Sequence, residues 1–134
     1  AQVSDHLGVD DLLLTFGGKR FDKAMLYRVL DESCHPRDHF DLLDLSRRVR
    51  LRGGLKAVER SLGIERPARI ASLQGRQAMA LWSRFESGGE QGIWALADLI
   101  AYNRADAVNL FPLRDRLLAR ARLRFGFPDW YLRG

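Results

Sequence analysis

The sequence predicts an α/β domain with a helix-rich C-terminal half, and three observations carry that expectation. A continuous apolar run, Leu12 to Phe16, lies between Asp10-Asp11 and Gly17-Gly18, the pattern of a buried strand ending in a glycine turn. A helical segment from Asp22 separates it from a second candidate strand, His39 to Leu43, and a crossover of that length makes the pair parallel. After Gly53-Gly54 the apolar residues recur only at helical spacing.

The elements follow in order. Met25, Leu26, Val29 and Leu30 give the first helix its apolar face, and His35-Pro36-Arg37-Asp38 stops it. A basic stretch then leads to Gly53-Gly54. Leu55 to Leu62 is a helix with Leu55, Val58 and Leu62 on one face and Gly63 as its cap. Gly75 to Phe85 repeats the pattern, and Gly88-Gly89 breaks it. A helical tract runs from about Ile93 to Phe125, with Leu96, Leu99, Ile100, Ala107, Leu110 and Leu113 as its expected core face; Pro112 must kink or restart it. Trp82, Trp94, Phe85 and Phe111 sit among aliphatic neighbours and are expected in the core, while Phe127, Trp130 and Tyr131 anchor an irregular tail.

At 134 residues, 46% hydrophobic and 29% charged, the chain is sized for one folded core and its composition argues against disorder. No run approaches the length of a membrane span, and the first residues lack a signal pattern, so membrane and secretory classes fall away and a cytoplasmic location is expected. The single cysteine, Cys34, excludes an intramolecular disulfide framework and a multi-cysteine zinc site. Twenty-two basic against 17 acidic residues give a net charge of +5, a balance that favours polyanions; the predominance of Arg suits phosphate and equally fits a bias in genome composition. Two strands make too small a sheet to stand alone, and the chain begins at Ala. The expectation is one N-terminally incomplete domain over residues 1–134, its open edge paired by upstream strands or by a second copy of the chain.

Two stretches place chemistry-bearing side chains. Thr15 to Asp22 sets a carboxylate just beyond a strand end, where parallel sheets bind ligands; an aspartate there also serves as an N-cap, and the two roles are compatible. In Tyr102-Asn103-Arg104-Ala105-Asp106 a phenol and a carboxylate emerge one turn apart on one helix face. Asp106 lies in an apolar tract, so a metal, an ion pair with one of the arginines, or a solvated face must satisfy it. His35 and His39 lack a third zinc ligand, and Gly17-Gly18-Lys19 lacks the spacing of a P-loop. Asp38, Asp41 and Asp44 are explained by capping and solvation. Arg47, Arg48, Arg50, Arg52, Lys56 and Arg60, and Arg114 to Arg124 on the last helix, present either phosphate grips or solvated faces.

Taken together, these motifs resemble those of the DEDD 3′-5′ exonucleases of the ribonuclease H-like fold, and most closely the YprB-type ribonuclease H-like domain. Thr15 to Asp22 looks like the family's second motif and Tyr102 to Asp106 like its third. Between them His39-Phe40-Asp41-Leu42-Leu43 and Leu55 to Arg66 resemble the family's His-x-Asp-Leu-Leu strand and Leu-Lys-x-x-Glu-x-x-Leu-Gly-x-x-Arg helix, so the resemblance covers about Thr15 to Leu113. Gly17 stands where the second motif has Asn, and the Asp-x-Glu of the family's first strand is missing.

The resemblance implies a ribonuclease H-like fold lacking its first strands and a metal-dependent 3′-5′ exonuclease with a two-ion mechanism using Mg²⁺ or Mn²⁺. Asp22 and Asp106 are the implied metal ligands, and Tyr102 the group that orients the attacking water, a phenol being neutral at pH 7. Lys19, Arg20, Arg47, Arg48 and Arg104 are the expected nucleic-acid contacts, with a single-stranded 3′ end of DNA or RNA as partner. With two carboxylates against two dications, this segment alone is expected to be weak or inactive. The alternative is a catalytically inactive relative that binds nucleic acid or protein.

Overall fold

The computed structural model describes residues 8–19 and 22–126, the Asp22 side chain excepted. Arg20 and the expected tail anchors Phe127, Trp130 and Tyr131 lie outside the described residues. Strand β1 (Leu12–Thr15) is followed by helix α1 (Asp22–Val29), a short 3-10 turn at Glu32–Cys34 and strand β2 (Asp38–Asp41). The strands pair in parallel, with Leu12 opposite Asp38 and Thr15 opposite Asp41, so both end at the same level. Their two faces differ as a period of two requires. Leu14 and Phe40 turn to the core, while Thr15 Oγ1 and His39 Nε2 meet at 2.7 Å on the other side.

Helix α2 (Leu42–Arg48) begins directly after β2. The strand expected over His39 to Leu43 therefore stops at Asp41, whose carboxylate accepts from the Leu43 N–H at 3.1 Å and caps the new helix. The same carboxylate accepts from the Gly17 N–H at 2.6 Å and the Lys19 N–H at 3.2 Å, tying the loop after β1 to the end of β2. Asp41 is buried, so capping explains it and solvation does not. Asp44, half-exposed, pairs with Lys19. Gly18 lies against Thr15, where a Cβ would stand 2.6 Å from the threonine side chain, so this loop is closed to any larger residue.

The remaining elements are α3 (Leu55–Ser61), α4 (Ala68–Ala71), α5 (Gly75–Glu86), α6 (Gly89–Val108) and α7 (Leu110–Phe125). Leu42, Val49, Leu51, Val58, Ile64, Leu113, Leu117 and Ala121 form the core, so α2, α3 and α7 close over one face of the strand pair. Pro112 falls in the first turn of α7, where its missing N–H is not needed, and the expected restart occurs at Leu110. The α5–α6 pair forms a hairpin reversed through Gly88 and Gly89 at φ +79° and +78°. Close approach of the two helices rests on Gly92, whose added Cβ would come 3.2 Å from the carbonyl oxygens of Arg84 and Phe85.

The exposures along α5, α6 and α7 correct the expected core. Trp82, Trp94 and Phe111 are 48%, 65% and 57% exposed, and Ile100 and Ala107 also face outward. Ala95, Tyr102 and Ala105 are buried positions of α6. Small residues at its contact let the neighbouring backbone come close, which leaves the larger side chains on the outer surface. No helix among the described residues is long and apolar enough to cross a membrane.

Asp41 satisfies three backbone donors from one buried position, and its loss should show in stability. Asp41→Ala is expected to cost about 2 kcal/mol in urea unfolding, whereas Asp44→Ala, which removes an exposed pair, is expected to change it by less than about 0.5 kcal/mol.

Candidate functional site

A cleft of about 430 Å³ lies between the start of α3 and the middle of α6, lined by Lys56, Arg60, Gln74, Tyr102 and Asp106 among others. Tyr102 and Asp106 reach it from one face of α6, a turn apart. Tyr102 is buried, and its Oη accepts a hydrogen bond from Lys56 Nζ at 2.9 Å. The same ammonium lies 4.4 Å from the Tyr102 ring centroid, a cation–π contact that further fixes both groups.

Beneath the cleft runs an ionic network. Arg66 donates from Nε to Glu59 Oε2 at 2.7 Å and from Nη2 to Glu59 Oε1 at 2.8 Å, a bidentate fork. Both side chains are almost fully buried. Asn109, at the break between α6 and α7, adds a donor to Glu59 Oε1 at 3.3 Å. The remaining guanidinium nitrogen, Nη1, stands 2.6 Å from Asp106 Oδ1 as an ion pair without the alignment of a hydrogen bond. Burial works against the charge on Arg66, but the Glu59 and Asp106 carboxylates outweigh it and hold the guanidinium above its ordinary pKa. Of the partners open to Asp106, an arginine is the one found.

A second polar group gathers at the strand ends, where Lys19, His39, Asp41, Asp44 and Arg48 border a smaller hollow. Partial burial, and then the charge of Lys23, lower the His39 pKa; Asp41 opposes the shift and Lys19 adds to it.

The structure thus brings Tyr102 and Asp106 together with Lys56 and Arg60 in one cleft. Asp22 opens α1, but its side chain lies outside what is described, as does Arg20. Lys19 is engaged with Asp44, while Arg47, Arg48 and Arg104 are exposed. Glu59, Arg66 and Asn109 have no role that the sequence alone predicts, and Lys56 only that of a phosphate grip. Their signal is present as Glu59 among Leu55, Val58 and Leu62, with Lys56 three residues before it and Arg66 after the Gly63 turn.

The donors do not fit a divalent ion as they stand. Asp106, the one described carboxylate lining the cleft, faces Arg66, and Lys56 stands over Tyr102. Among the described residues no three His, Cys, Asp or Glu side chains come together to hold a metal. The cleft as described is cationic around a single acid, an arrangement suited to receiving an anionic ester.

Glu59→Gln should be costly, because it leaves the buried Arg66 charge short of its main partner: about 3 kcal/mol is expected in chemical denaturation, with much of it recovered in a Glu59→Leu/Arg66→Met double variant. His39 sets a pH dependence of known sign. Its folded pKa lies below 6.5 while the unfolded chain protonates near 6.5, so its contribution is present above that pH and is lost as pH falls toward the folded value. Stability measured between pH 7 and 5 should therefore fall less steeply in His39→Gln than in the native chain.

A family model described as RNase_H superfamily matches residues 1–118. No curated protein and no solved structure matches the chain.

Proposed function

This chain belongs to the RNase H superfamily, and from that premise we propose that it forms the core of a metal-dependent 3′-5′ exonuclease acting on DNA or RNA. Membership suggests a nuclease-like function; the polarity, the two-ion Mg²⁺ or Mn²⁺ mechanism and the likeness to the YprB-type domain belong to this reading. One observation carries it. Tyr102 and Asp106, a turn apart on α6, share a cleft with two cations suited to a phosphodiester, Lys56 and Arg60. Because Tyr102 Oη accepts from Lys56, its own O–H is directed away from the ammonium and can orient a water or a phosphate oxygen. Arg66, anchored on buried Glu59, fixes where the Asp106 carboxylate stands.

In this reading Asp22 and Asp106 are the chain's own carboxylates toward the two metal ions, and hydrolysis requires further carboxylates such as an Asp-x-Glu strand. Lys19, Arg20, Arg47, Arg48 and Arg104 are the proposed nucleic-acid contacts around the site. A second reading is favoured by the ion pair between Arg66 and Asp106, which places a cation where a metal ligand needs an open oxygen. In that case the chain binds nucleic acid or a partner protein without cutting.

End-labelled single-stranded DNA and RNA, incubated with Mn²⁺ or with a chelator, test both. The expected result is weak or absent cleavage by these 134 residues and metal-dependent shortening from the 3′ end by a form extended with an Asp-x-Glu strand. Asp106→Asn and Asp22→Asn should slow that extended form by roughly a hundredfold or more. Equal activity of both forms, or cleavage that survives the chelator, would overturn the exonuclease reading; binding with no cleavage by either form establishes the second.

A further inference from the structure

Helices α2 and α3 end in the same backbone motif with different occupants. After α2 the Arg50 N–H reaches Arg47 O at 3.0 Å and the Leu51 N–H reaches Ser46 O at 2.9 Å. After α3 the Gly63 N–H reaches Arg60 O at 3.1 Å and the Ile64 N–H reaches Glu59 O at 2.9 Å. Both are Schellman closures, whose pivotal residue must be left-handed. That residue has φ +69° at Gly63, where no Cβ resists it, and φ +64° at Arg50. Among the described residues Arg50 is the one non-glycine with positive φ. A position that the fold would fill more stably with glycine carries a long charged side chain, and an outlier of that kind points to a use for the side chain.

The surroundings identify the use. Arg47, Arg50 and Arg52 line one cavity of about 730 Å³ with Leu51 and Gly53, and no carboxylate is among them. Arg50 and Arg52 have no ion pair or side-chain hydrogen bond among the described residues, and the same is true of Arg47. Three guanidinium forks around a concavity, with no acid among the described residues bonded to any of them and only the field of nearby Asp44 on Arg47, are matched by a multiply charged oxyanion. The cavity is also placed beside the cleft of the proposed site. Gly53 lines the first and Gly54, the next residue, lines the second. A ligand with phosphates at regular intervals can occupy both.

We propose that Arg47, Arg50 and Arg52 form a backbone-phosphate anchor for a single-stranded nucleic acid, which passes over Gly53-Gly54 into the cleft of Tyr102 and Asp106. The identity of the polyanion rests on the nucleic-acid reading above. The position of the anchor rests on the strained Arg50 and its two neighbours.

The test is binding of a short labelled single-stranded oligonucleotide by fluorescence anisotropy, in a chelator and over a range of salt. Arg50→Gly relieves the backbone, so its melting temperature should equal or exceed that of the native chain, yet its affinity should fall roughly fivefold. The slope of log K against log salt should decrease by about 0.7 for each phosphate that is no longer gripped, hence by about 2 when all three arginines are replaced. Arg120→Ala, which removes the same charge from α7, should stay within about twofold of native. Native-like binding by Arg50→Gly, or an equal loss in Arg120→Ala, overturns the anchor while leaving nucleic-acid binding in place. Failure of the native chain to bind at low salt overturns both. Hydrolysis plays no part in the measurement, so a chain that binds without cutting still decides it.

Discussion

The buried fork between Arg66 and Glu59 is the interaction on which the candidate site depends. Neither charge is tolerable alone at that depth, so each enforces the position of the other. Glu59 comes from α3, Asn109 marks the start of α7, and the buried Nη1 of Arg66 reaches Asp106 on α6. Three helices are thereby registered against one buried fork, α6 through its guanidinium and α7 through its carboxylate. The cleft above inherits that register, since Lys56 lies one turn from Glu59 on α3 and reaches Tyr102, itself one turn from Asp106. An apolar contact would have fixed the distance between these helices and left their rotation and sliding less defined.

At the strand ends the organising group is Asp41. Parallel pairing brings β1 and β2 to a common level, and the Asp41 carboxylate turns that coincidence into a closed loop by binding Gly17 and Lys19 on one side and capping α2 on the other. The loop so held leads into α1 and Asp22. Two buried acids, Glu59 and Asp41, neither of them a proposed catalytic group, therefore position the two regions that carry the proposed site.

Much of the architecture was legible in the sequence because it is written in local terms. The apolar run at Leu12, the crossover helix from Asp22, the Gly53-Gly54 start of α3 and the restart at Pro112 are signals spanning a few residues each, and each corresponds to an element or break. Helix α2 was less visible. Leu42 and Leu43 follow Phe40 and Asp41 in a pattern a strand could also show, and seven residues give too little of a helical period to tell strand from helix. The exposure of Trp82 and Trp94 was hidden for another reason. Periodicity shows that a helix has an apolar face, but Gly92 and Ala95 decide which face meets its neighbour, and that depends on how closely two backbones approach. Within the site, the pairing of Tyr102 with Asp106 follows from spacing alone. The partnership of Asp106 with Arg66, about forty residues earlier, is tertiary and cannot be read from either stretch.

The core formed by α2, α3, α7 and the strands contains no residue of the α5–α6 hairpin. Around Tyr102 and Asp106 the hairpin is held to the rest largely by polar ties, while α4, with its fully buried Ile70, packs on α6. Segments outside the main apolar core are the ones expected to open first, so the hairpin's amides should exchange sooner than those of α2 and α7. Added salt weakens the hairpin's attachment by screening its more exposed charges. The element that bears the site's phenol and acid is thus docked by polar ties as well as by the apolar packing of α4.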